Sequence, residues 1–386
     1  MRRVIVDQID LKNLVPGGTD TCISDILAWG DLDDPVVVGI TNDPTVRLGC
    51  VINREFRGRT VKFIPVSRFS RDRTARRLRI PDSLKLVFGA LRFRKVIPRH
   101  GVIWQVHRIE VGFAALLLFR PTRLVQFVHN AASGLSGENS DSAWKGMGGL
   151  YSKLESFVGK RANGIIVFNQ GDGERLARVY DRVMPARTWY DESVFYPRDM
   201  QEPEGAAGDF LELRVLWVGR LEAQKDPNLA IEVFASLRKQ DKHARLVVVG
   251  DGSLLPAVQS RAIELGVHDD IEFAGSLSRT DVADQMRRSD CLLMTSHYEG
   301  SPRVLVEAGA CGLPVVATFE ADPDHVINSG VNGFVSGRDP VGLAQCVEKV
   351  KLSCTSNDCV EASSARSASR VISSILAVGV DDGPTS

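Results

Sequence analysis

A chain of 386 residues with 44% hydrophobic content is longer than one core usually serves, so two domains of ordinary size are expected. Its longest apolar run, 111–119, falls well short of the roughly 20 residues that span a bilayer, and Met1-Arg2-Arg3 leads straight into Val-Ile-Val with Asp7 behind it; neither a transmembrane helix nor a signal peptide is expected. The formal net charge is zero, yet residues 1–200 hold 31 of the 48 Lys+Arg and only 21 of the 48 Asp+Glu, a split that suggests different partners for the two halves. The seven cysteines are scattered and contain no CxxC pair, which argues for a reducing cytosol and against structural zinc.

Along the first half, short β-rich runs at Val4–Val6, Pro35–Ile40, Val61–Val66, Gly101–Val106, Leu124–Val128 and Ile165–Phe168 alternate with stretches of helical spacing. That alternation predicts a parallel sheet with helices on both faces and ligands at the carboxyl ends of the strands. A polar stretch rich in Gly and Pro, from Pro197 to Asp209, reads as an interdomain connection. The alternation then restarts with strands at Leu213–Val218, Arg245–Val249, Ile271–Ala274, Cys291–Met294 and Pro314–Thr318, and helices at Asn228–Lys239, Leu254–Leu265, Arg279–Arg288 and about Pro302–Cys311. The expected division is therefore 1–197 as an N-terminal domain, 198–210 as linker and 211–358 as a C-terminal domain. Residues 359–386 are expected to form a C-terminal helix returning to the first domain, then a tail. Two doubly wound, Rossmann-like α/β domains facing across a cleft suit a phosphate-bearing ligand.

The most informative segment is Glu299-Gly300-Ser301-Pro302-Arg303-Val304-Leu305-Val306-Glu307. Gly300 loosens the turn and Pro302 fits the first helical position. Eight helical residues rise about 12 Å, so a carboxylate before the helix and one two turns along it can reach opposite ends of a nucleotide sugar. Amides at Arg303 and Val304 would face the diphosphate between them. Upstream, Trp217-Val-Gly219-Arg220-Leu-Glu-Ala-Gln-Lys225 runs from a strand into a loop with two cations. Arg offers a planar fork to phosphate oxygens and Lys a mobile point charge.

In these pieces the chain resembles the family 4 retaining glycosyltransferases, over most of 210–350 and more lightly through 1–200. The matching motifs are Gly219-Arg220-Leu221 with Lys225, Gly250-Asp251-Gly252, Phe273-Ala274-Gly275, the Glu299–Glu307 pair, Gly312-Leu313-Pro314-Val315-Val316-Ala317 and Gly330-Val331-Asn332-Gly333-Phe334-Val335. The resemblance implies a GT-B fold and transfer of a hexose-type sugar from a UDP- or GDP-linked donor to a hydroxyl, on a glycan or a lipid-linked intermediate, with retention of configuration. It further implies that Arg220 and Lys225 hold the donor diphosphate, that Glu299 meets sugar hydroxyls and that Glu307 binds the ribose. Amides near Arg303 and Val304 would contact phosphate, and backbone near Leu277 would border the base. The chain departs from the family's usual pattern at Phe319-Glu-Ala-Asp-Pro323-Asp324 and at Trp189-Tyr190-Asp191.

In the first half, Val15-Pro-Gly17-Gly18-Thr-Asp20 follows the first strand and precedes a helix. Its amides can approach a phosphate closely, and it resembles the family's glycine loop. His107 and His129 each follow an apolar strand; the resemblance favours His129 as the histidine beside the reacting sugar. No Asp-x-Asp occupies a loop where a metal would bridge the diphosphate, so metal-independent, electrostatic catalysis is expected, with no cofactor beyond the donor and no nucleic-acid partner. A non-catalytic sugar-nucleotide-binding subunit and an epimerase of the same architecture are the competing readings; the intact set Arg220, Lys225, Glu299 and Glu307 disfavours the first. Finally, residues 68–99 carry eleven Lys or Arg against Asp72 and Asp82, interleaved with apolar residues. Such a stretch suits peripheral contact with an anionic membrane from the cytoplasmic side, or an anionic glycan acceptor, and equally a helix packed on the sheet with a solvated basic face.

Overall fold

The computed structural model describes residues 2–14, 18–69, 81–129, 147–198 and 212–379. It divides into two compact units, one of 1–187 with 368–386 and one of 188–367. The boundary thus falls ten residues before the expected one at 197/198. Tyr190 and Phe195 explain the shift, because both are buried among the apolar side chains of the second unit. Of the expected linker 198–210, all but Arg198 lies outside the described residues.

The first unit is built on an eight-stranded sheet of β1 (Arg3–Val6), β2 (Val36–Thr41), β3 (Ile52–Phe56), β4 (Arg59–Arg68), β5 (Ile103–Val106), β6 (Arg123–Val128), β7 (Gly164–Val167) and β8 (Val183–Pro185). Their order is β3-β4-β2-β1-β5-β6-β7-β8. The expected parallel sheet is found except at one edge, where β3 pairs antiparallel with β4. The chain reverses there at Arg57 and Gly58, both with positive φ. The helix Ala368–Ala377 belongs to this unit: Arg3 Nη2 donates to the Leu376 carbonyl at 2.9 Å, and Ile372 and Ile375 are fully buried. The tail expected as one helix from 359 is broken instead. Ser356–Ser363 and Ala368–Ala377 are separate helices, and the unit boundary runs between them.

The second unit holds a six-stranded, all-parallel sheet of β9 (Arg214–Val218), β10 (Arg245–Val249), β11 (Ile271–Gly275), β12 (Cys291–Met294), β13 (Val315–Thr318) and β14 (Gly333–Ser336). Alternate residues of its strands enter opposite cores, as the two-residue period of a strand requires. Val215, Trp217, Leu246, Val248, Cys291 and Leu293 face one layer of helices, while Leu216, Val247, Val249, Leu292 and Met294 face the other. The order β11-β10-β9-β12-β13-β14 is 3-2-1-4-5-6 counted from β9. The chain therefore leaves β9 on one side and returns to its other side at β12, which opens a crevice between their carboxyl ends.

Candidate functional site

At that crevice the loops after β9 and β12 bring together residues far apart in sequence. Lys225 Nζ lies 2.5 Å from Glu299 Oε1, with side chains 19% and 8% exposed. Ser296 Oγ donates to the same carboxylate oxygen at 2.6 Å. Gln224 ties the two loops together: its carbonyl accepts from the His297 amide at 2.8 Å, and its side chain donates to the Tyr298 carbonyl at 3.1 Å. Arg220 Nη2 reaches Gln224 Oε1 at 3.3 Å.

Beneath this surface, buried Thr295 shares its one hydroxyl proton between the carbonyls of Lys225 and Asp226, at 3.0 and 2.8 Å, and accepts from Trp217 Nε1 at 3.0 Å. Arg338 pairs with Asp226 and donates to the carbonyls of Thr295 and Ser296, both at 3.1 Å. Sequence reasoning does not single out Thr295, Asp226 or Arg338. The available signal was the polar Thr-Ser pair directly after an apolar strand.

The glycines of the Gly250-Asp251-Gly252 motif have a steric duty. A Cβ at Gly250 would run into the Gly219 carbonyl oxygen, and Gly250 sits at φ +137. A Cβ at Gly252 would meet the Leu221 carbonyl. The two loops are zipped by Gly219 N to Val249 O at 3.0 Å and Leu221 N to Asp251 O at 3.0 Å. This close approach, which only glycine allows, fixes the turn that carries Arg220.

The helix Arg303–Ala310 starts after Pro302 with no side-chain cap, and the first amides of any helix have no acceptor within it. Before it, the Ser301 hydroxyl contacts that of Thr188; Gly300 lies in the loop ahead of it. Glu307 lies about one turn into this helix rather than the expected two, 12% exposed, with Arg303 Nε at 3.6 Å and Arg279 Nη2 at 3.9 Å. Arg279 also lies 3.6 Å from fully buried Asp191, and the Arg303 guanidinium sits 5.3 Å from the Trp189 ring. Glu307 is thus part of a charge cluster that sequence reasoning missed, because Asp191 and Arg279 are remote from it in the chain. Leu277, after β11, packs partly buried against one of the apolar cores.

In the first unit Gly17 lies outside the described residues; Gly18 opens the helix Gly18–Trp29 with φ +52. The strand order switches sides between the parallel neighbours β1 and β5, and there Arg108 Nε bonds Asp7 Oδ1 at 3.1 Å. His107 and His129, which follow β5 and β6, are joined: His107 Nδ1 is 2.8 Å from His129 Nε2, with ring planes 15° apart. His129 also stacks on Phe168 at 4.9 Å. Burial, then the charges of Arg108 and Arg3, push the His107 pKa down to about 3, so His107 is neutral.

The ligand atoms of Cys22, His107 and His129 lie within 4.8 Å of one another, a set of donor types able to hold a transition metal. The 2.8 Å between the two ring nitrogens is shorter than the roughly 3.3 Å separating two nitrogens on one tetrahedral ion with bonds of about 2.0–2.1 Å. Near-coplanar rings at that spacing have the geometry of a hydrogen bond.

Two doubly wound sheets in one chain define the GT-B fold, and solved structures share it. Sucrose-phosphate synthase from Thermosynechococcus elongatus aligns with TM-score 0.75 at 16% identity over 97% of each chain. HepE from Anabaena, in complex with UDP and glucose, aligns with TM-score 0.70 at 17% identity, again over 97% of each chain. Residues 211–353 match the family Glycosyl transferases group 1. A D-inositol 3-phosphate glycosyltransferase of Mycobacterium marinum is 32% identical over 197 residues, 48% of this chain and 41% of that protein; the match spans less than half of the relative's length.

Proposed function

We propose that this protein is a retaining, metal-independent hexosyltransferase that takes its sugar from a UDP- or GDP-linked donor and passes it to a hydroxyl of a glycan or lipid-linked acceptor. The observation that carries the reading is the Lys225–Glu299 pair at the β9/β12 crevice, with Arg220 on the same loop and an uncapped helix start at Arg303 beside it. A diphosphate has two needs, compensating charge and amide donors, and this corner of the sheet offers both. Lys225 and Arg220 would take the leaving-group charge. Glu299 would accept from sugar hydroxyls, Glu307 from the ribose, and the backbone near Leu277 would border the base. The HepE complex with UDP and glucose and the glycosyltransferase relative favour the same chemistry.

The test is release of nucleoside diphosphate across a panel of UDP- and GDP-hexoses, with and without acceptors from cell extract. Acceptor-dependent release that persists in a chelator, with the anomeric configuration of the donor kept in the product, supports the reading. Donor binding without turnover under any condition would make the protein a binding subunit, and a changed sugar without acceptor would make it an epimerase.

For the acceptor, the described part of the basic segment supports an anionic surface. On the helix Asp82–Arg92, Leu84 and Phe88 are 41% and 62% exposed, and Arg92, Arg94, Lys95 and Arg99 follow; residues 70–80 lie outside the described part. Co-sedimentation with anionic vesicles at low and high salt tests this. Salt-sensitive binding lost when Arg71, Arg73, Arg76 and Arg77 are changed together to Ser supports peripheral attachment at the cytoplasmic face. No sedimentation at low salt ends it.

A further inference from the structure

Gln105 and Arg3 are polar residues set in the apolar runs of β5 and β1, and both are almost fully buried. Burial lowers the Arg3 pKa to about 10, which still leaves it charged. Its guanidinium can only donate, and it does so from Nη1 to Gln105 Oε1 at 3.2 Å and from Nη2 to the Leu376 carbonyl at 2.9 Å. With its oxygen so engaged, Gln105 must turn its NH2 toward His107 Nε2, 2.8 Å away. His107 Nε2 is then an acceptor. Because His107 is neutral, its proton sits on Nδ1, and that N–H points at His129 Nε2, 2.8 Å away. Each bond in the series dictates the direction of the next, from a group that cannot reverse.

We propose that Arg3, Gln105 and His107 are positioning residues that lock His129 into the tautomer with a bare Nε2 and a protonated Nδ1. His129 therefore enters any further interaction at the carboxyl edge of this sheet as an Nδ1–H donor, fitted to a hydroxyl or other oxygen acceptor of a bound ligand and unable to take a proton from it at Nδ1. The same chain disfavours a metal between the histidines. A metal on His107 Nδ1 would move that ring's proton to Nε2, against the Gln105 NH2 that Arg3 holds in place. That His129 serves the sugar-transfer site rests on the function proposed above; its tautomer does not.

The experiment is long-range proton–nitrogen correlation NMR on the full chain labelled with nitrogen-15 histidine, where the two ring nitrogens of each histidine report protonated or bare. The wild type is expected to show His107 and His129 both protonated at Nδ1, with a nitrogen–nitrogen coupling across the bond between them. Free histidine favours the proton on Nε2, so Gln105→Met, which keeps the length but cannot donate, should let His129 exchange between tautomers. Arg3→Lys, which keeps a donor at Gln105 Oε1, should retain the wild-type pattern. Arg3→Met gives a second release should Gln105→Met not fold. In the transfer assay Gln105→Met should lower kcat by about tenfold, the worth of one well-placed hydrogen bond, with donor KM within twofold. A proton on His129 Nε2 in the wild type, or an unaltered tautomer in both Gln105→Met and Arg3→Met, overturns the lock. A released tautomer with unchanged kcat overturns the positioning role. Absence of any transferase activity beside a confirmed tautomer would count against the proposed function alone.

Discussion

Lys225→Met removes an ammonium while keeping the length of the side chain, and leaves the Glu299 carboxylate 8% exposed with only the Ser296 hydroxyl beside it among the contacts described above. At 2.5 Å and an effective dielectric of about 20, the lost attraction is roughly 6–7 kcal/mol, much of which already offset the cost of drying the two charges. Breaking one side of a buried pair costs about 3–5 kcal/mol, and the partial exposure of Lys225 places this case at about 3. Removing both charges, as Lys225→Met with Glu299→Gln, should recover most of that loss, because two neutral groups need no compensation. Donor binding should not recover. If Lys225 gives the diphosphate one charge-assisted hydrogen bond, its loss is about 1.5–3 kcal/mol, or roughly 10- to 150-fold in Kd. Calorimetric titration with the nucleoside diphosphate and denaturant unfolding of the single and double variants separate the two effects. An affinity within twofold of wild type in Lys225→Met would remove Lys225 from the donor site; an undiminished stability would show that the pair carries no net coupling.

Glu307→Ala is expected to weaken donor binding by about 1.5–3 kcal/mol and, by exposing Arg279 and Arg303 to each other near Trp189, to lower stability as well; unchanged donor affinity would end its assignment to the ribose. Gly250→Ala should cost about 3 kcal/mol or more in unfolding free energy, since φ +137 and the Gly219 carbonyl both oppose a Cβ; a thermal midpoint within a degree of wild type would contradict the packing of the two loops. Acid should act through His107. Its folded pKa of about 3 lies below the ordinary histidine value of 6.5, so the unfolded chain binds the proton first. The stability this residue contributes is present above pH 6.5 and falls by about 1.4 kcal/mol per pH unit on the way down to pH 3. The difference in unfolding free energy between wild type and His107→Asn, followed over that range, should carry this slope, and a flat difference would show that His107 is not held neutral.

The strands that sequence reading found were those buried on both faces, where Val, Ile and Leu run without interruption, such as Val36–Val38 and Val247–Val249. Those it missed are edges or nearly so. β3 carries Asn53, Arg54 and Glu55, β8 is three residues ending in Pro185, and β14 reads as a motif rather than a strand. The helix Pro340–Ser353, capped by Asp339, is absent from the expected elements although its Asp-Pro start is visible in the sequence. For the site, residues within one contiguous motif were legible, since Glu299, Arg303 and Glu307 share a loop and its helix. Partners supplied by distant strands were not. Nothing local tells that Arg338 braces the loop of Glu299, that Arg279 joins Glu307, or that Gln105 sits between Arg3 and His107. Such pairings arise from strand order, which places β1 beside β5 and β9 beside β12.

The helix Ala368–Ala377 completes the first unit, while the whole second unit lies between it and Arg187. During synthesis the ribosome therefore makes nearly all of one domain, then an entire second domain, before supplying the piece that closes the first. At about 5–20 residues per second, the 190 residues from 188 to 377 take about 10–40 s. Throughout that interval the cavity for Ile372 and Ile375 is open, and the Arg3 guanidinium waits for the Leu376 carbonyl. The second domain, continuous from 188 to 367, has all its strands before that moment and can fold first. The domain begun first on the ribosome is thus the last to finish, and a nascent chain stalled before residue 368 would display all eight strands of its sheet with an uncovered apolar groove, a target for chaperones.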